Sequence, residues 1–191
     1  MANDLFGEGM SPRSLSEFIV LTWKKRKMFI LNRETLSLVD EYPLPDAIAE
    51  GWGVTTHEYT DGQSWKLYIS DGTSSLHHVD AGSLQVLRSV TVRDSSGKTW
   101  KKLNELEFVD GYVYANVWYS SYILKIDPQN GLVVKKWNIR SLADAEHAYQ
   151  EDTNLGYVEA DVQNGIAYNK SRGTFYLSGK RYHLIFEVNL N

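Results

Sequence analysis

The stretch Trp65-Lys-Leu-Tyr-Ile-Ser-Asp-Gly-Thr-Ser-Ser-Leu-His-His-Val-Asp80 recurs as Gly111-Tyr-Val-Tyr-Ala-Asn-Val-Trp-Tyr-Ser-Ser-Tyr-Ile-Leu-Lys-Ile-Asp127. It recurs again as Gly173-Thr-Phe-Tyr-Leu-Ser-Gly-Lys-Arg-Tyr-His-Leu-Ile-Phe-Glu-Val188. Each copy reads strand, polar loop, strand, with apolar residues at every second position. The aligned tyrosines Tyr68, Tyr114 and Tyr176 stand 46 and 62 residues apart, and a weaker fourth copy runs from Phe18 to Tyr42. A unit of roughly 40–50 residues holding four short strands has the size of a propeller blade, whereas a sandwich does not repeat itself in sequence. The fold class expected is all-β, a β-propeller, with one short helix inserted in the longer interval over about Ser141–Gln150. Ser141 serves as its expected N-cap, with Asp144 three residues later. A single domain is expected over residues 1–191.

Working outward, the blade openings are Phe6-Gly-Glu-Gly9, Glu50-Gly-Trp-Gly53, Leu103-Asn-Glu-Leu106 and Gln163-Asn-Gly-Ile166. Glycine at such a point permits close backbone approach where innermost strands converge. Polar and aromatic residues among those glycines then face the mouth of the central channel, where a propeller ligand site is usually built.

Composition narrows the function classes. A net charge of −4 argues against a nonspecific nucleic-acid or anionic-membrane binder. The basic run Lys24-Lys25-Arg26-Lys27 sits between two apolar segments and reads as a hairpin turn. There are no cysteines, so thiol nucleophiles and Cys-type zinc sites are excluded. No apolar run approaches the roughly 18 residues of a membrane span, and Met1–Gly9 has neither the basic nor the apolar region of a signal peptide. A soluble chain of open compartment is the expectation. His57, His77, His78, His147 and His183 lack HExxH spacing, and adjacent His77 and His78 on one strand point to opposite faces. No cofactor and no metal are expected.

Nine short stretches in series carry a resemblance: Phe6-Gly-Glu-Gly9, Leu21-Thr-Trp23, Glu50-Gly-Trp-Gly53, Leu67-Tyr-Ile-Ser-Asp-Gly72, Leu103-Asn-Glu-Leu-Glu-Phe-Val-Asp-Gly111, Tyr114-Ala-Asn-Val-Trp118, Ile126-Asp-Pro128, Asn164-Gly-Ile-Ala-Tyr168 and Ser178-Gly-Lys180. In this order they resemble the plant-type glutaminyl-peptide cyclotransferases, five-bladed propellers also found in bacteria and protists. The resemblance implies closure of N-terminal glutamine into pyroglutamate with release of ammonia, without the zinc of the unrelated animal enzymes. It implies substrates that are peptides or proteins with N-terminal glutamine, and neither nucleic acid nor membrane as a partner.

By the same resemblance Glu8 is the proton shuttle and Lys180 the group that stabilises negative charge or tunes Glu8. Phe6, Trp23, Trp52, Asn104 and Trp118 form the substrate pocket, with an indole N–H available to orient a polar group. Trp65, Trp100 and Trp137 match nothing in the family and are assigned to packing. Two departures stand out. The family's first blade, with its aromatic-Thr-Gln-Gly motif, has no counterpart here, which favours a truncated chain, four self-closing blades, or a further chain or blade completing the wheel. Arg181-Tyr182 also replaces the Trp-Pro-type segment that often follows the lysine. Two alternatives stay open: a non-catalytic propeller binding module, and a metal-dependent propeller hydrolase with Glu8, Asn104 and Asn164 around calcium.

Overall fold

Four antiparallel sheets follow from the period-two runs, because β-branched and aromatic side chains on alternate positions give each strand two packable faces. The structure, a computed structural model, describes residues 5–58, 65–153 and 162–190. Blade 1 holds β1 (Gly7–Pro12), β2 (Glu17–Thr22), β3 (Lys27–Asn32) and β4 (Leu38–Pro43). Blade 2 holds β5 (Val54–His57), β6 (Lys66–Ser70), β7 (Ser75–Asp80) and β8 (Val86–Thr91). Blade 3 holds β9 (Leu103–Val109), β10 (Tyr112–Val117), β11 (Tyr122–Asp127) and β12 (Leu132–Asn138). The helix α1 (Arg140–Asp152) precedes blade 4, which is β13 (Gln163–Asn169), β14 (Thr174–Gly179) and β15 (Phe186–Val188). Within every blade the strands pair in chain order.

The alternation explains how the blades stack. In β6, Leu67 and Ile69 join the core shared with blade 1, while Tyr68 between them joins the core shared with blade 3. In β10, Val113 and Ala115 face blade 2, and Tyr114 packs with Phe175, Leu177 and Ile166 of blade 4. Each fully buried aliphatic side chain contributes about 1.5–3 kcal/mol, so three inter-blade cores rather than one central core hold the array together. Trp100 belongs to the core between blades 2 and 3, and Trp65 and Trp137 pack against the cores on either side, as expected of packing tryptophans. The innermost strands lie side by side in the series β1, β5, β9, β13, and β13 makes no comparable contact with β1.

On the side of blade 1 away from blade 2, Leu5, Phe29, Leu31, Leu36 and Leu38 line an apolar groove rimmed by Lys27 and Glu41, which pair at 2.5 Å. Leu36 and Leu38 are 59% and 60% exposed there. A propeller blade normally buries both faces, so this face is unlike the corresponding faces of blades 2 and 3.

The Phe6–Gly9 opening leads into an innermost strand as expected: β1 pairs with β2 despite its glycines and Pro12. One local reading differs from expectation. The helix begins at Arg140, one residue before Ser141, and its N-cap is Ile139, with no side-chain cap bond from that residue. Asn138 Oδ1 accepts the Arg140 amide at 3.0 Å, and Ile139 is buried in the adjoining core, so the chain turns into the helix before Ser141. Asp144 pairs with the Arg140 guanidinium at 3.1 Å instead of completing a capping box. The basic run does form the β2–β3 turn. Arg26 is the part with structural work, donating to the carbonyl oxygens of Ile48 at 2.6 Å and Ala49 at 2.9 Å.

Candidate active site

Strand ends from all four blades converge at one mouth of the channel. Phe6 and Glu8 stand at the start of β1, Trp23 just after β2, Trp52 just before β5, Asn104 in β9, Trp118 just after β10 and Lys180 just after β14. These seven residues line one small, open cavity. Residues expected from sequence to serve a common site are therefore together in space.

The cavity depends on tight backbone contacts. Gly53 lies so close to β9 that a Cβ there would overlap the Asn104 carbonyl oxygen, and Ser70 Oγ closes the same junction. Its hydroxyl donates to that oxygen at 2.7 Å and accepts the Gly53 amide at 2.9 Å. Gly72, at φ +78°, leaves room for the Trp52 indole, which any side chain would strike. Trp52 then meets Trp118 edge to face at 5.3 Å, and Phe6 meets Trp23 in the same way at 6.1 Å. The walls are thus aromatic and held at fixed angles.

Polar groups in the cavity are few. The Lys180 ammonium is 3.8 Å from Glu8 Oε1, and their side chains are 33% and 12% exposed. Burial is the largest influence on Glu8 and lifts its pKa above the ordinary glutamate value; Lys180 pulls it down and Glu50 pushes it up. Asn104 Oδ1 and Trp118 Nε1 are buried without a hydrogen-bond partner. An unmet buried polar atom costs about 1–3 kcal/mol, so two of them on residues that line one cavity leave hydrogen-bonding capacity beside it. The indoles of Trp23 and Trp52 differ: both donate to Glu50 and offer no free N–H. Of the three tryptophans expected to orient a polar group, Trp118 alone retains that ability.

Sequence reading passed over two acidic residues. Glu50 stands at the opening of blade 2, and its carboxylate accepts both the Trp23 and the Trp52 indole N–H. Glu105 follows Asn104 in β9, and burial, reinforced by repulsion from Glu8, pushes it up to about 7. Among the described residues no three histidine or acidic side chains gather as a metal site. Asn164 Oδ1 is also buried without a partner, but Asn164 is not among the residues lining the cavity.

Known proteins resemble this chain in sequence and fold. The family described as glutamine cyclotransferase matches residues 1–190. The chain belongs to the glutamine cyclotransferase family. A glutaminyl-peptide cyclotransferase of Arabidopsis thaliana is 31% identical over 190 residues, covering all of this chain and 54% of that protein. The chain thus spans about half the length of this curated relative. The crystal structure of Myxococcus xanthus glutaminyl cyclase superposes with a TM-score of 0.82 at 28% identity, over 98% of this chain and 74% of that one. A Bacteroides caccae protein of unknown function matches with a TM-score of 0.53 at 11% identity, covering 100% of this chain and 63% of that one, which speaks for the fold alone. Membership of the glutamine cyclotransferase family also agrees with the sequence resemblance and with the propeller.

Among the described residues no helix is long and apolar enough to cross a membrane.

Proposed function

We propose that this cavity closes the N-terminal glutamine of a peptide into pyroglutamate and releases ammonia, by general acid and base catalysis through Glu8 and without a metal. The observation that carries the reading is a half-buried carboxyl of raised pKa, walled by indoles and 3.8 Å from an ammonium, beside two unmet polar atoms. Those two atoms match the two halves of a primary carboxamide. Asn104 Oδ1 accepts one of its N–H groups, and Trp118 Nε1–H donates to its oxygen.

The amine and the amide carbon belong to one substrate residue, so folding them together supplies most of the proximity advantage. The neutral α-amine bonds to the side-chain carbonyl carbon while Glu8 takes an amine proton. Lys180 balances the charge that grows on the carbonyl oxygen. Glu8 then passes its proton to the amide nitrogen, the carbon–nitrogen bond breaks, and ammonia leaves. One carboxyl serves both transfers, and the burial that lifts its pKa makes it a stronger base toward the amine proton.

A further blade of polypeptide belongs to this proposal as the partner that covers blade 1 and fills the space between β13 and β1. The exposed Leu36 and Leu38, and the greater length of both cyclase relatives, support it.

The test is ammonia release from a Gln-initiated peptide, with the product checked for the loss of one ammonia by mass spectrometry. It is run on this chain and on the chain joined to an additional blade, each with and without a strong chelator. Turnover that survives chelation is expected in at least the extended form. Peptide binding without ammonia in both forms leaves a binding module and removes the enzymatic reading.

A further inference from the structure

Glu50 does not line the cavity, yet the backbone and two walls of the cavity close upon it. Its Oε2 accepts the indole N–H of Trp23 at 2.6 Å and that of Trp52 at 2.8 Å. The Trp23 amide in turn donates to the Phe6 carbonyl at 3.0 Å, and the Gly9 amide donates to the Trp52 carbonyl at 2.7 Å. Glu8 lies between Phe6 and Gly9. A closed circuit therefore runs from Glu50 through Trp23 to Phe6, past Glu8 to Gly9, and through Trp52 back to Glu50.

The backbone of Glu50 is itself fixed on both sides. Arg26 holds the carbonyls of Ile48 and Ala49, Asp71 Oδ2 accepts the Ala49 amide at 3.4 Å, and the Trp52 amide donates to Ser70 at 3.2 Å. A neutral side chain of similar shape could accept the two N–H groups, but only a carboxylate adds charge to them. The charged groups acting on Glu8 are Lys180, which attracts, and Glu50 and Glu105, which repel. Lys24 lies over the Trp23 ring, 4.1 Å from its centre.

We propose that Glu50 is a positioning residue of this site: one carboxylate oxygen sets the angle of two indole walls, and its charge opposes Lys180 in holding Glu8 ready to carry a proton. The proposal rests on the reading of Glu8 as the proton shuttle, and its test is read on the resting protein so that the two can fail separately. Wild-type protein should show two indole N–H resonances moved downfield by the carboxylate, assigned with Trp23→Phe and Trp52→Phe. In Glu50→Gln both should return upfield, and Glu8, followed by its side-chain carboxyl resonance, should titrate at lower pH than in the wild type.

Glu50→Asp separates the two parts. It should lose the indole shifts, because the shortened side chain withdraws from the indoles, while Glu8 stays raised. An unmoved Glu8 titration in Glu50→Gln overturns the electrostatic part. A wild-type spectrum without the downfield pair overturns the positioning part, even if Glu50→Gln does not fold. Absence of turnover in wild-type protein counts against the cyclisation chemistry and leaves these titrations unaffected.

Discussion

Two buried polar clusters lie close together around blade 2 and follow opposite rules. In the first, Asp71 Oδ1 accepts the Thr73 amide at 3.0 Å and its hydroxyl at 2.6 Å, while Oδ2 meets His77 Nε2 at 3.1 Å. His77 Nδ1 continues to Ser89 Oγ at 2.8 Å. Each polar atom in that row has a partner, and the arrangement resembles a catalytic relay only in the order of its residues. It ties the turn after β6 to β7 and β8. In the second cluster, the cavity, Asn104 Oδ1 and Trp118 Nε1 are buried and unmet, and Glu8 is lifted by burial. A satisfied network makes the fold more stable and has nothing left to bind; an unsatisfied one costs stability and keeps its capacity for a ligand.

The sharpest way to break this contrast is to alter the cavity acid. Glu8→Gln keeps the shape and removes the proton exchange, so turnover of Gln-initiated peptides should fall by about 10²–10⁴-fold. Thermal stability should hold or rise, because the substitution removes a buried titratable group. Unchanged turnover in the ammonia assay takes Glu8 out of the mechanism.

The satisfied cluster should respond the other way. Asp71→Ala leaves His77 buried without its partner and should cost about 3 kcal/mol, which lowers the melting temperature by roughly 10 °C in a chain of this size. Its pH dependence has a definite sign. Burial raises the Asp71 pKa, but hydrogen bonds from His77 and Thr73 outweigh it and hold the carboxyl below its ordinary value. The stability it contributes is present above the unfolded value and is lost as pH falls through the lower folded one. Glu105, pushed up to about 7, behaves oppositely: its burial penalty is present above 7 and is relieved as pH falls toward the ordinary glutamate range. Melting curves across pH should therefore lose part of their acid limb in Asp71→Ala, and Glu105→Gln should reduce the neutral slope without abolishing it, because burial also pushes Glu107 up to about 7. An acid limb unchanged in Asp71→Ala assigns it to other carboxylates.

The blades themselves are legible in sequence because the spacing of Tyr68, Tyr114 and Tyr176 repeats a whole supersecondary unit, and alternation tells which neighbour each face meets. The gathering of the cavity is a different matter. Nothing in residue spacing says that Trp23, Trp118 and Lys180 share one mouth; the family resemblance supplied that. Glu50 escaped notice because its role exists only when two indoles from different blades arrive on one oxygen. Glu105 escaped because its burial depends on how closely β5 and β9 approach at Gly53, a property of packing that composition does not carry. Ser141 misled because the capping pattern is local, whereas the helix start is decided by Asn138 at the end of β12 and by burial of Ile139.

The finest test of the contrast is a single N–H. Trp118→Phe removes the unmet Nε1 donor while keeping an aromatic ring against Trp52. The loss of ring area and the removal of an orphaned polar group oppose each other, so the melting temperature should stay within about 3 °C of wild type. Substrate should notice the change more than the fold does. A lost hydrogen bond of about 1 kcal/mol to the carboxamide oxygen raises KM by about fivefold and leaves kcat unchanged if the bond is equally strong in ground and transition states. If the N–H bonds the oxygen only as its charge develops, kcat falls instead and KM holds. A protein that is markedly destabilised with both constants unchanged would mean that Trp118 serves packing, and that the unmet atoms of the cavity are not the measure of what it binds.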